Sequence, residues 1–179
     1  MSKLNLNSLH ERHPGLTRGL GEAYSEAASV CMSRHHVPPV SVSVHHNGEV
    51  QVRSLQYPAP NQRILNAHAN EIDATEMGAY GLSLATVESV AGLVAVRRAE
   101  TMTGADWYIA PIGSSFDDLE SCIRLEVSGT DAGGSTEIER RLLEKVAQAS
   151  RGQSNLPAIA AVVGFKVLEI AISPLGAAA

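Results

Sequence analysis

Two acidic residues, Asp106 and Glu126, have the spacing and setting of groups that could act together. Glu126 lies in a segment where polar and apolar residues alternate, so Arg124, Glu126 and Ser128 are expected on one face of a strand. Asp106 begins the preceding predicted strand, and the hairpin between the two strands can bring its carboxylate beside that of Glu126. The sequence therefore predicts that two carboxylates converge on one face of a sheet.

Converging carboxylates repel one another, and a shared proton, a cationic neighbour or a hard divalent cation such as Mg²⁺ can relieve that repulsion. A bound Mg²⁺ polarises a phosphoryl oxygen and lowers the pKa of an attacking water. Metal-dependent phosphodiester hydrolysis is thus one chemistry that such a pair could support. The alternative is structural: Asp106 starts its strand as a turn residue, and Glu126 pairs with Arg124 or Arg97 across a solvated sheet face.

The N-terminal third carries clear signals for a helix and a hairpin. Apolar residues recur every three to four positions and predict a helix at about 15–34. Asn47-Gly48 favours a type I′ turn, which predicts a hairpin with strands 40–46 and 49–55. We interpret residues 1–60 as an N-terminal extension and residues 61–179 as an α/β core, together one compact domain.

The core is predicted from the spacing of its apolar residues. They recur every three to four positions at first, then at every second position, and finally every three to four positions again. A capping box at Asp73 starts its main helix, and a bend is expected near Gly164 in the last, continuously apolar segment. The predicted elements are a helical stretch (61–93), three strands (93–99, 106–111 and 121–129), a helix (136–152) and a final buried strand (157–174). The three strands would form an antiparallel meander.

This order of elements, with Gly104-Ala105-Asp106 followed by Leu125-Glu126-Val127-Ser128, resembles the PD-(D/E)xK restriction-endonuclease-like superfamily. The resemblance covers about residues 70–173. It implies a restriction-endonuclease-like α/β core of helix, three-strand meander, helix and strand, here preceded by an N-terminal helix and β-hairpin. It also implies a divalent metal, which Asp106 and Glu126 would bind with help from a glutamate of the first core helix, Glu88 or Glu76.

The sequence departs from the family pattern at Ser128, where a lysine that positions and activates water is expected. A serine supplies a hydroxyl but no charge, so it would orient water by hydrogen bonding. A basic group from elsewhere could take the lysine's place, and the basic residues considered are Arg124, Arg97, Arg98 and Lys166. Arginine stays protonated and is a poor general base, yet it can neutralise phosphate charge.

Composition narrows the classes of partner. The 179 residues carry a formal net charge of −5 and 4% aromatic residues, which disfavours general attraction to phosphate and large stacking surfaces for single strands. Cys31 and Cys122 have no CxxC context, and neither a signal peptide nor a membrane span is recognisable, so we expect a cytoplasmic protein.

Several polar clusters have simpler structural explanations. Adjacent histidines (35–36 and 45–46) on a strand or helix end cannot chelate together easily. The opposite charges of 139–145 favour an exposed helix face that pairs with itself. Asp117 and Asp118 indicate a solvated loop, and the tail 176–179 is expected to fray.

The sequence thus predicts a Mg²⁺-dependent nucleic-acid phosphodiesterase, or a weakened relative of one, in DNA metabolism or defence. The alternative is a non-catalytic accessory or immunity-type subunit that binds a protein through its acidic surface and N-terminal elements. In either case, the apolar hairpin face and exposed strand edges could support a homodimer.

Overall fold

The computed structural model describes residues 3–100, 103–114, 119–150 and 154–175, which form an α/β fold with one mixed eight-stranded sheet and five helices. The helices are α1 (Leu9–Arg12), α2 (Arg18–Ser33), α3 (Gln62–Ala67), α4 (Glu71–Ala91) and α5 (Ser135–Ser150). The strands are β1 (Lys3–Leu4), β2 (Val40–His46), β3 (Glu49–Leu55), β4 (Leu93–Arg98), β5 (Trp107–Pro111), β6 (Ile123–Thr130), β7 (Ala158–Gly164) and β8 (Glu169–Leu175).

The sheet has the strand order β1-β3-β2-β8-β7-β6-β5-β4. The strands β4, β5 and β6 form the predicted antiparallel meander, and α5 then carries the chain to β7, which lies parallel to β6. The predicted succession of helix, three strands, helix and strand is confirmed as α4-β4-β5-β6-α5-β7. This succession puts the start of β5 beside the middle of β6, where Asp106 and Glu126 lie.

The N-terminal hairpin is formed by the two predicted strands, with Asn47 and Gly48 both at positive φ in the turn. Its inner face places Val42 and Val44 in the core, and its outer face exposes Val50 and Val52. β2 pairs in parallel with β8, so residues 1–60 contribute three strands to the same sheet as the core strands.

The predicted helical stretch 61–93 consists of two helices, because Asn70 begins a new one. Its side chain accepts hydrogen bonds from the backbone N–H groups of Ile72 and Asp73, which makes Asn70 the N-cap. The prediction that Asp73 caps the helix is therefore wrong. Asp73 instead lies in the first turn of α4, where the helix dipole favours a negative charge.

The helix α4 is the central element of the fold. Its residues from Gly78 to Val87 are all buried, and it packs against α2 on one side and the sheet on the other. Close approach to α2 depends on Gly78 and Gly81, where an added Cβ would lie 3.0–3.1 Å from backbone atoms of α2. The helix ends at Gly92, which has a φ of 64°.

The last apolar segment is a hairpin of β7 and β8 rather than the single strand with a bend near Gly164 that we predicted. The chain reverses between Gly164 and Glu169, with Leu168 at a φ of 55°. No Asn-Gly, Asp-Gly or proline marks this turn. Because β7 is buried on both faces, it also lacks the alternation that would separate it from β8.

The N-terminal segment reaches both edges of the sheet. β1 pairs with β3 at one edge, and at the other edge Ala95 of β4 donates its N–H to His13 Nδ1 and accepts from the Gly15 N–H. A flat sheet of this strand number would be roughly 34 Å across. The chain from Leu4 to His13 reaches at most about 32 Å when fully extended, and part of it is the helix α1. The sheet is therefore curled, so that its two edges approach each other.

Within the described ranges, no helix combines the length and the apolar character needed to cross a membrane. Asp117 and Asp118, which we predicted to lie in a solvated loop, fall outside the described residues, as does the tail 176–179.

Candidate functional site

The candidate site lies where the first turns of α4, the start of β5, the middle of β6 and the face of α5 meet. Asp106 directly precedes β5, and its backbone N–H donates to the Leu125 carbonyl of β6. This bond fixes the register of the two strands at the site. Asp106 is thereby held at the start of β5, beside the strand β6 that carries Glu126.

The Asp106 carboxylate is held by contacts from three elements. Its Oδ2 accepts from the backbone N–H of Val127 at 2.8 Å, and its Oδ1 lies 2.9 Å from the hydroxyl of Tyr80 on α4. The guanidinium of Arg98 on β4 is 3.7 Å from the same Oδ1. The carboxylate is thus fixed in position and remains on the wall of a cleft.

Glu126 is almost fully buried, with 4% of its surface exposed. Its Oε2 accepts from Lys145 Nζ of α5 at 2.8 Å. Burial raises the pKa of Glu126, the Lys145 ammonium opposes that rise, and the nearby Asp106 charge adds to it. Lys145 of α5 therefore supplies the counter-charge for Glu126.

Tyr80 connects this pair to a third carboxylate. Its hydroxyl is 2.7 Å from Glu76 Oε1, one helical turn earlier on α4, and 3.0 Å from an Arg98 nitrogen. Arg98 also lies over the rings of Tyr80 and Trp107, at 4.5 Å and 5.3 Å from their centroids. Burial raises the pKa of the Tyr80 phenol well above its usual value, so the phenol stays protonated.

Two depressions meet at these residues. The first, a cleft of about 570 Å³, runs between α4, β6 and α5 and is lined by Glu76, Tyr80 and Asp106. The second has a volume of about 590 Å³ and is lined by Asp106, Glu126 and Gln148. Lys145 lines both depressions. The acid pair and its lysine therefore lie between two solvent-accessible spaces.

The other residues of the polar row on β6 have structural partners. Arg124 is buried and donates to the carbonyl oxygens of Leu156 and Thr103. Ser128 lines the first cleft, and its hydroxyl accepts from Arg141 of α5 at 3.2 Å. Arg124 therefore ties β6 to neighbouring segments, whereas Ser128 faces the space where a substrate could lie.

Two predicted site residues lie elsewhere. Lys166 is exposed in the turn between β7 and β8, where its backbone N–H donates to the Asp131 carbonyl. Glu88 lies near the end of α4, where it pairs with Arg12 at 2.8 Å and with His13 at 3.3 Å. Of the two glutamates considered on this helix, Glu76 is the one beside Asp106.

Sequence reasoning missed Lys145 and Tyr80. The charged run 139–145 is predicted to pair with itself, and Arg140 does pair with Glu144 inside the run, as well as with Glu137 just before it. Lys145 instead points back to Glu126. The available signal was topological: α5 must return across the face of the sheet between β6 and β7, so one side of that helix faces the polar row of β6.

The donor atoms present fit Mg²⁺, which takes oxygen ligands and is usually bound through one or two carboxylates, with water or phosphate completing its shell. Asp106 and Glu126 supply such a pair. Each carboxylate has about four lone-pair positions. The hydrogen bonds that Asp106 and Glu126 already accept therefore leave further lone pairs that could bind a metal ion. Among the residues that the structure describes, no group of three or more His, Cys, Asp or Glu side chains is placed to hold a metal ion by itself.

Comparisons of the chain with protein-family models, curated proteins and solved structures gave no match in any of the three.

Proposed function

We propose that this protein is a Mg²⁺-dependent nucleic-acid phosphodiesterase on a restriction-endonuclease-like core. The order and directions of α4-β4-β5-β6-α5-β7 support the proposal, because an antiparallel meander followed by a helix and a parallel strand is the core that the family resemblance implies. In this core Asp106 directly precedes the second strand of the meander, and Glu126 lies on the third.

The observation that carries the proposal is that Asp106, Glu126 and Lys145 line one depression, with Lys145 Nζ 2.8 Å from Glu126 Oε2. The family pattern expects a lysine at the position of Ser128. Lys145 brings an ammonium group to the same pair of strands from α5. This placement supports a site with two acids and one lysine, in which α5 supplies the lysine instead of β6.

The proposed roles follow from charge and position. Asp106 and Glu126 would hold Mg²⁺, which when bound polarises the phosphoryl group and lowers the pKa of a water. Lys145 orients that water and offsets negative charge beside Glu126. Arg98, with 45% of its side chain exposed and fixed by its aromatic contacts, neutralises a phosphate oxygen. Ser128 provides a hydroxyl to the same space.

The test is cleavage of single- and double-stranded DNA and RNA in Mg²⁺ or Mn²⁺, together with calorimetric titration of Mn²⁺ alone. Changing a residue that only orients metal ligands weakens binding or activity by about 10- to 100-fold. We therefore expect Asp106→Asn and Glu126→Gln to lose more than about 100-fold in activity. Both variants should also show no Mn²⁺ binding in the calorimetric titration.

The matched control is Glu139→Gln, which removes one exposed carboxylate from α5. It should bind Mn²⁺ and cleave substrate like the wild type. Wild-type protein that neither binds Mn²⁺ nor cleaves any of the four substrates would overturn the proposal.

A second candidate function, a non-catalytic accessory or immunity-type subunit, is favoured by a different observation. Val37 and Ile72 expose 85% and 78% of their surface, and Val37 lies with Leu65 beside a groove of about 480 Å³. Exposed apolar side chains around a groove are common at protein interaction sites. This function predicts normal partner binding by Asp106→Asn and loss of binding in Val37→Asp.

A further inference from the structure

The strand β3 has an open edge within the part of the chain that the structure describes. On one side it pairs with β2 along its whole length, whereas on the other side β1 pairs only with Ser54 and Leu55. The segment 49–53 is therefore open to a further strand. We propose that two copies of this chain form a dimer by antiparallel pairing of their β3 edges, centred on Gln51. The interface involves neither β5 nor β6, so this inference does not depend on the proposed function.

The backbone of this edge offers hydrogen-bonding groups to a second strand. In an antiparallel pair, every other residue directs its N–H and C=O toward the partner strand, and the residues between direct theirs away. The two-residue turn at 47–48 makes Glu49 bond to β2, and Gln51 then does the same. Val50 and Val52, which expose 60% and 49% of their surface, therefore point their backbone groups outward. In the proposed register Val50 of each copy lies opposite Val52 of the other, and the two exchange both bonds.

The charged side chains of the segment favour a second copy as the partner. Antiparallel pairing about Gln51 puts Glu49 of each copy opposite Arg53 of the other, on one face of the sheet. Opposite charges in this arrangement stabilise a strand pair, whereas parallel pairing in register would bring like charges together. Arg53 already donates to the Gln51 side chain, and its several N–H donors allow it to bind a carboxylate as well. The segment is thus complementary to itself, as a twofold interface requires.

The two edges of the sheet differ in their protection. At the far edge, Ala95 of β4 bonds to His13 and Gly15, and the pairing of β4 with β5 shifts register between Ala95 and Arg97. Both features oppose the addition of another strand. β3 pairs with β2 in unbroken register and contains neither proline nor lysine. Pairing through β3 should therefore stop at a dimer.

Reversal of the charges tests the proposed register. Glu49→Arg and Arg53→Glu each place like charges opposite one another, so each variant alone should dimerise at least about 10-fold more weakly than the wild type. An equimolar mixture of the two variants restores both pairs of opposite charges. The mixture should form a heterodimer with about the wild-type affinity. Sedimentation equilibrium over a range of protein concentrations measures the dissociation constants.

The matched control is Glu139→Arg, which makes the same change of charge at an exposed position of α5 and should leave dimerisation unchanged. Val52→Pro is a second probe, because it removes an outward N–H of β3 and leaves the bonds to β2 in place. It should be monomeric. If Val52→Pro does not fold, amide exchange of the wild type replaces it. The Val50 and Val52 amides should then exchange at least about 10-fold more slowly in the dimer than in the monomer.

Several outcomes would overturn the proposal. One is a wild-type protein that stays monomeric up to about 1 mM, which would leave a strand from a different protein as the occupant of this edge. Another is a mixture of Glu49→Arg and Arg53→Glu that dimerises as weakly as each variant alone. A dimer that persists in Val52→Pro would place the contact on another surface. An equal loss in Glu139→Arg would assign the effect to net charge rather than to β3.

Discussion

The two ends of α4 each present a glutamate to groups from other elements, but they differ in what surrounds it. Near the C-terminal end, both oxygens of Glu88 accept from Arg12 Nε, at 2.8 and 3.0 Å. The remaining Arg12 nitrogens donate to backbone carbonyls of residues 5, 7 and 8. Near the N-terminal end, Glu76 contacts Tyr80 and lines the first cleft.

The two ends differ in whether the glutamate is paired within the chain or borders a cleft. Glu76 and Glu88 are about 18 Å apart along the helix, at 1.5 Å per residue, so they belong to separate sites. At the Glu88 end, both oxygens of Glu88 and all three side-chain nitrogens of Arg12 have hydrogen-bond partners within the chain. At the Glu76 end, carboxylates from two elements border open space. We therefore expect substitutions at the Glu88 end to change stability and those at the Glu76 end to change binding.

The sharpest test of this comparison pairs Glu88→Gln with Glu76→Gln. Removing a carboxylate from a partly buried ion pair leaves Arg12 without its counter-charge, and we expect the free energy of unfolding to fall by about 2–3 kcal/mol. Glu76→Gln should lose less than about 1 kcal/mol while weakening Mn²⁺ binding at least 10-fold. Urea unfolding and calorimetry measure the two quantities, and similar profiles for both variants would remove the distinction.

The close approach of the N-terminal segment to β4 provides the next largest effect. A Cβ added at Gly15 would lie 2.6 Å from the backbone carbonyl carbon of Val96. Gly15→Ala should therefore cost about 2 kcal/mol of unfolding free energy through overpacking. The control, Gly19→Ala, has no neighbouring atom within 4 Å of the added Cβ and should leave stability unchanged or slightly higher.

At the cleft end, Lys145→Gln would leave Glu126 buried without its cation. We expect a loss of about 1–2 kcal/mol at pH 7 and a further rise in the pKa of Glu126, which burial already raises. A carboxyl group whose pKa is higher in the folded state destabilises the fold only while it is ionised. The stability lost in Lys145→Gln should therefore become smaller as the pH falls toward 4.5, the ordinary pKa of a glutamate. Unfolding at pH 7 and pH 5 measures this. A loss independent of pH would contradict it.

The smallest expected effect is the pH dependence contributed by His13, which is fully buried at the Glu88 end. Burial lowers the pKa of His13, with Arg12 adding to that and Glu88 opposing it. The unfolded chain therefore binds the proton first as the pH falls, and stability that is complete above about 6.5 declines below it. One proton limits the slope to about 1.4 kcal/mol per pH unit.

His13→Gln should have a flatter dependence of the unfolding midpoint on pH between 7.5 and 5.5 than the wild type. An unchanged dependence would assign the effect to other groups. The buried neutral imidazole accepts the Ala95 N–H at Nδ1, which a protonated ring cannot do.

Elements marked by local signals were predictable from the sequence. The Asn47-Gly48 turn and the alternation around it defined β2 and β3 to the residue. The meander was recognisable from its change of period. Prediction failed where two residues competed for one role or where no local signal existed. Asn70 and Asp73 are both residue types that cap helices, and only Asn70 is the N-cap of α4. The turn through Leu168 contains none of the usual turn dipeptides.

The site was predictable only where strand pairing determines it. Neighbouring strands of a meander bring Asp106 and Glu126 together, and the alternation on β6 assigns Glu126 to the polar row. Lys145 and Tyr80 depend on how α5 and α4 cross the sheet, which periodicity does not encode. The choice between Glu76 and Glu88 required the same information, because the family resemblance implies a glutamate on this helix without fixing its position.

The contact of residues 13–15 with Ala95 has a consequence for assembly. A bare edge strand is a template on which another molecule can add a strand, and β4 lies at one end of the sheet. Here the peptide N–H and carbonyl of Ala95 already have partners within the chain. A substitution that released this contact would leave Ala95 as an unpaired position on an edge strand, so residues 13–15 help to prevent edge-to-edge aggregation through β4.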